Sequence, residues 1–255
     1  MKFKKLKDRI ILLTALFSRK LPPWVRRGRL LRLIYNPDKR QNDYIETIIS
    51  YDKDLKIHIN TKSFIEWTIL FWGYFEKHVA DFIKKNLPKG GVFVDVGANI
   101  GNNSLIASKI ASRVIAIEPN PIILERLKQN INLNSLKNIV VYDYAISNFI
   151  GEAEFFIPDE NYSNQGVASL SLRENIPLKK IKVKVITLDE LLKNERRIDL
   201  IKIDVEGYSK EVIQGAKEII KKFKPVIIYE ENNSDKMVVL DYNNKKQIEE
   251  LGLSL

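Results

Sequence analysis

The residues best suited to chemistry stand at the ends of short apolar runs. Asp95, Gly97, Asn99 and Gly101 alternate through Val-Asp-Val-Gly-Ala-Asn-Ile-Gly, and an acid, Glu118, closes the next apolar run. A strand that ends in a glycine turn and opens a helix brings backbone close to a ligand. A dinucleotide fingerprint needs glycine where Asn99 and Asn102 stand, and a Walker loop needs Gly-Lys-Ser/Thr, so both are excluded. An acid placed like Glu118, about 20 residues beyond the first glycine, hydrogen-bonds a ribose diol. The simplest ligand is therefore an adenosine without a pyrophosphate. The competing reading is a tight strand–helix turn that holds no ligand.

A second acidic group follows two later apolar runs. Asp204 closes residues 198–204 with Glu206 just beyond, while Glu230 closes residues 225–230 with Glu231 and Asn232 after it. Parallel neighbouring strands would bring both groups to one rim. Such carboxylates have three readings: a general base or substrate-binding group for a hydroxyl, ligands for Mg²⁺, a hard cation, or supports for the helix at Ser209. The metal reading is not favoured. The chain has no cysteine, which excludes a thiol nucleophile, a disulfide scaffold and a zinc finger. Its two histidines are His58 and His78; His78, near Glu76, reads as a solvated helix residue.

The elements that must position these groups alternate. Strands are expected at Val92–Val96 and at residues 113–118, 139–145, 198–204 and 225–230. Helices are expected at residues 103–110, after Asn120-Pro121, and at 209–223 and 242–251. Continuous apolar strands alternating with helices give a doubly wound α/β fold with a mostly parallel sheet covered on both faces. Residues 152–157 and 181–187 alternate in character and read as an inserted antiparallel pair. The polar loop between them holds Tyr162, Ser163, Asn164 and Gln165 and suits sugar hydroxyls, or is a surface loop. Before the core, residues 44–60 read as two strands around an Asp-Lys-Asp turn. An aromatic run over 64–75 follows, then a helix carrying Val79, Phe82, Ile83 and Leu87.

The segments VFVDVGANIG, AIEPNP, NIVVYDYAIS and IDLIKIDVEGYSKEVIQGA resemble the FkbM-type S-adenosylmethionine-dependent methyltransferases, from about Gly73, through Tyr74 and Glu76, to Glu230. The resemblance implies a Rossmann-like class I methyltransferase sheet and S-adenosylmethionine (SAM) as cofactor. It also implies transfer mainly to oxygens of sugars and natural products. Carried over by position, Asp95, Gly97, Asn99 and Gly101 line the methionine part of SAM. Glu118 binds the ribose with Asn120 beside it, and Asp143, Tyr144 and Ala145 flank the adenine. The chain departs from the pattern at Leu255, where the family's terminal antiparallel strand pair is expected to be missing or truncated, leaving open edges. Asp204-Val-Glu-Gly stands where base-methylating enzymes carry an Asp/Asn-Pro-Pro-aromatic motif, so a nucleic-acid acceptor is disfavoured. The expected activity is O-methylation of a hydroxyl on a sugar, glycolipid or related metabolite, with Asp204 and Glu206 as catalytic carboxylates. The alternatives are a non-catalytic SAM-binding domain that scaffolds a membrane assembly, and an RNA methyltransferase.

Composition and charge complete the reading. Apolar residues make up 45% and charged residues 29% of the 255, which excludes collagen-like, disordered and membrane-embedded classes. The net charge is +10, yet residues 1–40 hold 13 Lys and Arg against 2 Asp, so the rest is near neutral. The chain divides into a basic arm, 1–43, and a methyltransferase domain, 44–255, itself split into N-terminal elements (44–90) and a cofactor-binding core (91–255). The apolar stretch 10–17 is far shorter than the ~20 residues of a bilayer span and is followed by no small-x-small cleavage site. Leu30, Leu31, Leu33 and Ile34 interleave with Arg26, Arg27, Arg29 and Arg32 beside Trp24. That pattern either lies on an anionic membrane surface or packs its leucines on the domain while its arginines stay solvated. A cytoplasmic protein, peripheral to the membrane, is the expectation.

Overall fold

A computed structural model describes residues 6–20, 44–158, 178–231 and 236–253. Trp24 and the Arg–Leu pattern, residues 162–165 and Asn232 lie outside the described residues. Helix α1 (Leu6–Ser18) precedes a hairpin of β1 (Glu46–Tyr51) and β2 (Leu55–Asn60). Asp52 and Lys53, both at positive φ, make its turn. The aromatic run forms a helix, α2 (Phe64–Trp72), because Trp67, Leu70 and Phe71 recur on one face and bury it; α3 (Lys77–Asn86) follows.

Strand–helix alternation then builds the core: β3 (Val92–Val96), α4 (Asn102–Ser108), β4 (Arg113–Ile117), α5 (Pro121–Leu133) and β5 (Ile139–Tyr142). Next come β6 (Ala145–Ile146), β7 (Gly151–Pro158), β8 (Leu178–Ile186) and the short α6 (Leu188–Leu191). The chain continues through β9 (Leu200–Ile203), α7 (Ser209–Gln214), α8 (Lys217–Phe223), β10 (Val226–Glu231), β11 (Lys236–Val239) and α9 (Lys245–Glu250).

The central sheet has six strands in the order β11-β10-β9-β3-β4-β5, all parallel except β11. The chain winds outward from β3 to β5 and returns on the other side of β3 at β9. The reversal of winding, where α/β folds bind ligands, therefore falls between β3 and β9. β3 and β9 are buried along their whole length, as a sheet covered on both faces requires.

Two local expectations are corrected. The strand expected at 139–145 splits after Tyr142, and β6 leaves the main sheet to pair in parallel with β8, whose other edge pairs antiparallel with β7. The helix expected at 209–223 breaks at Gly215, where a Cβ would lie 2.1 Å from the Ser147 carbonyl oxygen. Asp189 restarts it, its carboxylate accepting from the Glu218 and Ile219 amides at 3.2 and 2.9 Å. Of the terminal pair expected to be missing or truncated, β11 supplies one antiparallel strand and covers the edge of β10. Part of the arm is helical, and α1 docks on α2.

Ile11, Ala15 and Ser18 of α1 are buried, and the Ser18 hydroxyl donates to the Phe71 carbonyl at 2.6 Å. The Arg19 guanidinium donates to the carbonyls of Leu70 (2.8 Å), Ile69 (2.9 Å) and Ser50 (3.1 Å). A cation there complements the C-terminal end of α2. Arg19→Ala is expected to destabilise the fold by about 1.5–3 kcal/mol, the range for hydrogen bonds to charged groups, read as a lower urea midpoint at unchanged slope.

Candidate active site

The carboxyl ends of β3, β4, β9 and β10 open into a cavity of about 270 Å³. Gly97 ends β3 at φ +75°, and a Cβ there would lie 1.9 Å from the Asp204 carbonyl oxygen. Two backbones thus meet at the switch point, and only glycine permits it. Asn99, at φ +52°, turns its amide toward Glu118.

Glu118, at the end of β4, is buried and held from both sides. Its Oε2 accepts from the Asn99 amide and its Oε1 from the Asn120 amide, each at 2.9 Å. Burial pushes its carboxyl up to about 7, against the opposing pull of those two amides and of Lys202. Asn120 caps α5, its Oδ1 accepting from the Ile122 amide at 3.1 Å. Its Nδ2 is buried without a hydrogen-bond partner, and the residue lines the cavity.

Beneath the rim lies a charged triad. Register pairs Asp95 of β3 with Lys202 of β9. The Lys202 ammonium is 3.4 Å from Asp95 Oδ1 and 3.1 Å from Asp204 Oδ2, and it donates to the Gly97 carbonyl at 3.3 Å. Burial alone would favour the neutral amine, but Asp204 and Asp95 override it and hold Lys202 charged. Ser104 of α4 donates to Asp95 Oδ2 at 2.6 Å.

The residues named from sequence divide. Gly97, Asn99, Glu118, Asn120, Tyr144, Ala145, Asp204, Glu206 and Glu230 line the cavity. Asp95 does not; it is fully buried below the floor and acts on the rim through Lys202. Gly101 opens α4 and abuts Leu127, a helix-packing position. Asp143 is exposed, because the chain turns between β5 and β6 and sends Tyr144, Ala145 and Ile146 to the wall instead. Glu231 is also exposed. Sequence reasoning missed Lys202, although a lysine inside a strand apolar on both faces was a readable signal: such a charge persists only when paired. It also missed Ile65, Phe155 and Met237 as lining residues. Among the described residues no three His, Asp or Glu side chains converge to hold a metal ion.

A doubly wound sheet with a glycine turn and an acid at its switch point is common to class I methyltransferases and dinucleotide-binding proteins, and the family match separates them. The chain belongs to the family described as the methyltransferase FkbM domain, whose model matches residues 95–243. It is 28% identical over 155 residues to the hexuronic acid methyltransferase AglP of Haloferax volcanii, covering 60% of this chain and 61% of that protein. It is 27% identical over 185 residues to the methyltransferase sdnD of Sordaria araneosa, covering 60% and 70%. The crystal structure of a methyltransferase FkbM from Methylobacillus flagellatus aligns with a TM-score of 0.39 and 16% identity, over 64% of this chain and 41% of that one. The chain thus spans less than two thirds of the hexuronic acid methyltransferase it matches.

Family membership implies SAM as methyl donor, and the residues present fit it. Glu118 offers lone pairs not taken by its two amides, which a ribose diol can use. Asn120 has an amide nitrogen in need of an acceptor, and Tyr144, Ala145 and Ile146 supply a mainly apolar wall for a purine.

A diol donates best to the ionised form of Glu118. Affinity for S-adenosylhomocysteine (SAH) is therefore expected to rise as pH passes upward through about 7. Glu118→Gln is expected to flatten that profile in calorimetry, and Glu118→Ala to weaken binding about ten- to a hundred-fold. Stability of the ligand-free chain moves the other way. The folded state keeps this proton where an unfolded carboxyl near 4.5 has lost it, so stability falls as pH rises from 4.5 to about 7.

Proposed function

We propose that the chain is an O-methyltransferase acting on a hydroxyl of a sugar or related metabolite, and that its basic N-terminal segment rests on an anionic membrane surface. The observation that carries the first reading is the meeting of Asp204, Glu206 and Glu230 on one cavity with Glu118. When bound, SAM supplies a sulfonium methyl whose transfer to oxygen breaks the carbon–sulfur bond, leaves its electron pair on sulfur, and leaves one proton to be removed. Asp204 and Glu206 are carboxylates suited to take that proton. Asp204 is held by Lys202 at 3.1 Å. Glu206, at φ +52°, sits in a backbone conformation that non-glycine residues adopt only under constraint. Ile65, Phe75 and Met237 give the cavity apolar surface that excludes water from the reacting groups. The likeness to AglP supports a saccharide acceptor.

The membrane reading rests on α1. Ile10, Leu13, Leu16 and Phe17 are all at least half exposed, on the side away from buried Ile11 and Ala15. The 13 Lys and Arg of residues 1–40 supply complementary charge, each worth about 1 kcal/mol near an anionic surface. No helix among the described residues is long and apolar enough to cross a membrane.

Asp204→Asn is expected to lower kcat by about 10²–10⁴-fold while SAH affinity changes little; full turnover would remove Asp204 as the base. Activity is expected to survive EDTA, and a loss restored by Mg²⁺ would assign a metal to this rim. Because deleting residues 1–40 would strip Ile11, Ala15 and Ser18 from the core, the membrane test is the full chain carrying Leu13→Ser and Phe17→Ser. Sedimentation with phosphatidylserine vesicles is expected to fall at an unchanged melting temperature, and undiminished sedimentation would refute the surface.

A further inference from the structure

Strand order divides the cavity in two. The groups that fit the nucleoside, Glu118, Asn120 and Tyr144, come from the β4 and β5 side of the switch point, while Val205, Tyr208 and Met237 come from the β9 and β11 side. The turn before α3 adds Phe75 to the wall, and the next residue, Glu76, lies near enough to Lys202 to act on its charge, so this turn stands close to the end of β9. Glu206 at φ +52° and Gly207 at φ +92° reverse the chain after β9. Tyr208 then leads into α7, its carbonyl accepting from the Val212 amide at 3.1 Å, and the buried Ser209, Val212 and Ile213 behind it fix where its ring stands.

Tyr208 differs from the tyrosines that pack the fold. Tyr51 donates to the Asn102 carbonyl, Tyr74 to Asp52 and Tyr242 to the Pro225 carbonyl, while Tyr229 accepts from Gln247. Tyr208 is half-buried on the cavity wall, and no described residue takes its hydroxyl. A part-buried phenol of this kind is completed by solvent or by a ligand, and it can both donate and accept. Ring and hydroxyl together suit a group that is apolar on one face and polar at its edge. A pyranose is such a group, because C–H bonds gather on one face of its ring; an open-chain polyol has no such face. Met237, across the register from Glu230, adds a deformable thioether surface nearby.

We infer that Tyr208 is the platform of the acceptor subsite: a saturated sugar ring lies with its C–H face on the Tyr208 ring, the phenol hydroxyl bonds a substituent of that ring, and Phe75 and Met237 complete the apolar wall. This rests on the hydroxyl-methylation reading above and narrows its acceptor to a cyclic one. It also gives the turn after β9 two tasks, since Asp204 and Glu206 meet the reacting hydroxyl and Tyr208 holds the ring that carries it.

The test uses the full chain loaded with SAH, a panel of methyl glucoside, methyl galactoside and methyl mannoside, and sorbitol as the open-chain control. Saturation-transfer NMR, with irradiation of the protein's aromatic protons, is expected to mark the ring C–H protons of at least one glycoside and to leave sorbitol unmarked. Tyr208→Leu is expected to remove that transfer at unchanged SAH affinity and melting temperature. No transfer to any glycoside, equal transfer to sorbitol, or transfer that survives in the leucine variant would overturn the inference. Should the leucine variant melt early, Tyr208→Phe decides. It keeps the ring and loses one hydrogen bond, so glycoside affinity is expected to fall about two- to tenfold, and unchanged affinity would overturn the subsite. Transfer of labelled methyl from SAM to a glycan extract of the source cells separates this from the reading it rests on. Label only on nitrogen, or on nothing, would sink the hydroxyl reading, while the NMR result still decides the subsite. Label on a sugar hydroxyl with the half-saturating amount of extract unchanged in Tyr208→Phe would sink the subsite alone.

Discussion

One buried ammonium holds the site together. Lys202 lies in the middle of the central sheet, on a strand buried along its whole length, where an unpaired charge would be prohibitively costly. Its position is tolerable only because β3 presents Asp95 directly across the register and Asp204 bends back from the end of the same strand. The pairing has geometric consequences. Lys202 bonds the Gly97 carbonyl, so the turn after β3 and the turn after β9 are tied to a common point. Those turns contribute Gly97, Asn99, Asp204 and Glu206 to the cavity. A buried ion pair of this kind is weak support for stability, because desolvation offsets the attraction. Its effect here is to fix where two loops sit relative to each other.

From that point the arrangement propagates through short links. Ser104 bonds the far oxygen of Asp95, anchoring α4 beneath the turn. Asn99 then reaches Glu118, which also takes the Asn120 amide at the start of α5. Three strand ends, β3, β4 and β9, are thereby coupled by carboxylates that each take two partners. Glu118 is the most exposed to consequence: its burial raises its carboxyl to about 7, so this acid titrates near neutral pH instead of staying ionised.

What the sequence revealed was local, and what it hid was long-range. Val92–Val96, the glycine turn and Glu118 were legible because strand, turn and acid lie within one short stretch whose residue types have few other uses. The parallel sheet followed from continuous apolar runs. The partners of Lys202 were hidden because register between β3 and β9 joins residues about a hundred apart. The turn at Asp143 was hidden because β5 and β6 belong to different sheets, a break that no change in periodicity announces. The split at Gly215 depends on the Ser147 carbonyl arriving from elsewhere. The aromatic run over 64–75 concealed its helix because apolar residues on nearly all sides blur the period of 3.6 that reveals one.

The same division between local and long-range bears on what relatives can teach. The family match begins at Asp95 and covers the parallel core with Glu118 and the glycine turn. Ile65, Phe75 and Glu76, which also line the cavity, lie before it. They belong to elements held on the core by contacts of their own. The buried Glu66 carboxylate pairs with Arg126 of α5, and the Tyr51 hydroxyl donates to the Asn102 carbonyl at 3.1 Å. The β2 backbone amides of Lys56 and His58 each donate to an α5 asparagine, Asn134 and Asn130, at 2.7 Å. Tyr74 and Lys84 both donate to Asp52 in the hairpin turn at 2.6 Å, locking α3 and its N-cap Glu76 against the hairpin. Part of the cavity wall is thus built by N-terminal elements that precede the span of the family model. The core can keep one cofactor chemistry while this wall changes its shape and charge, so acceptor preference has to be argued from Ile65, Phe75 and Glu76 of this chain rather than from the names of its relatives.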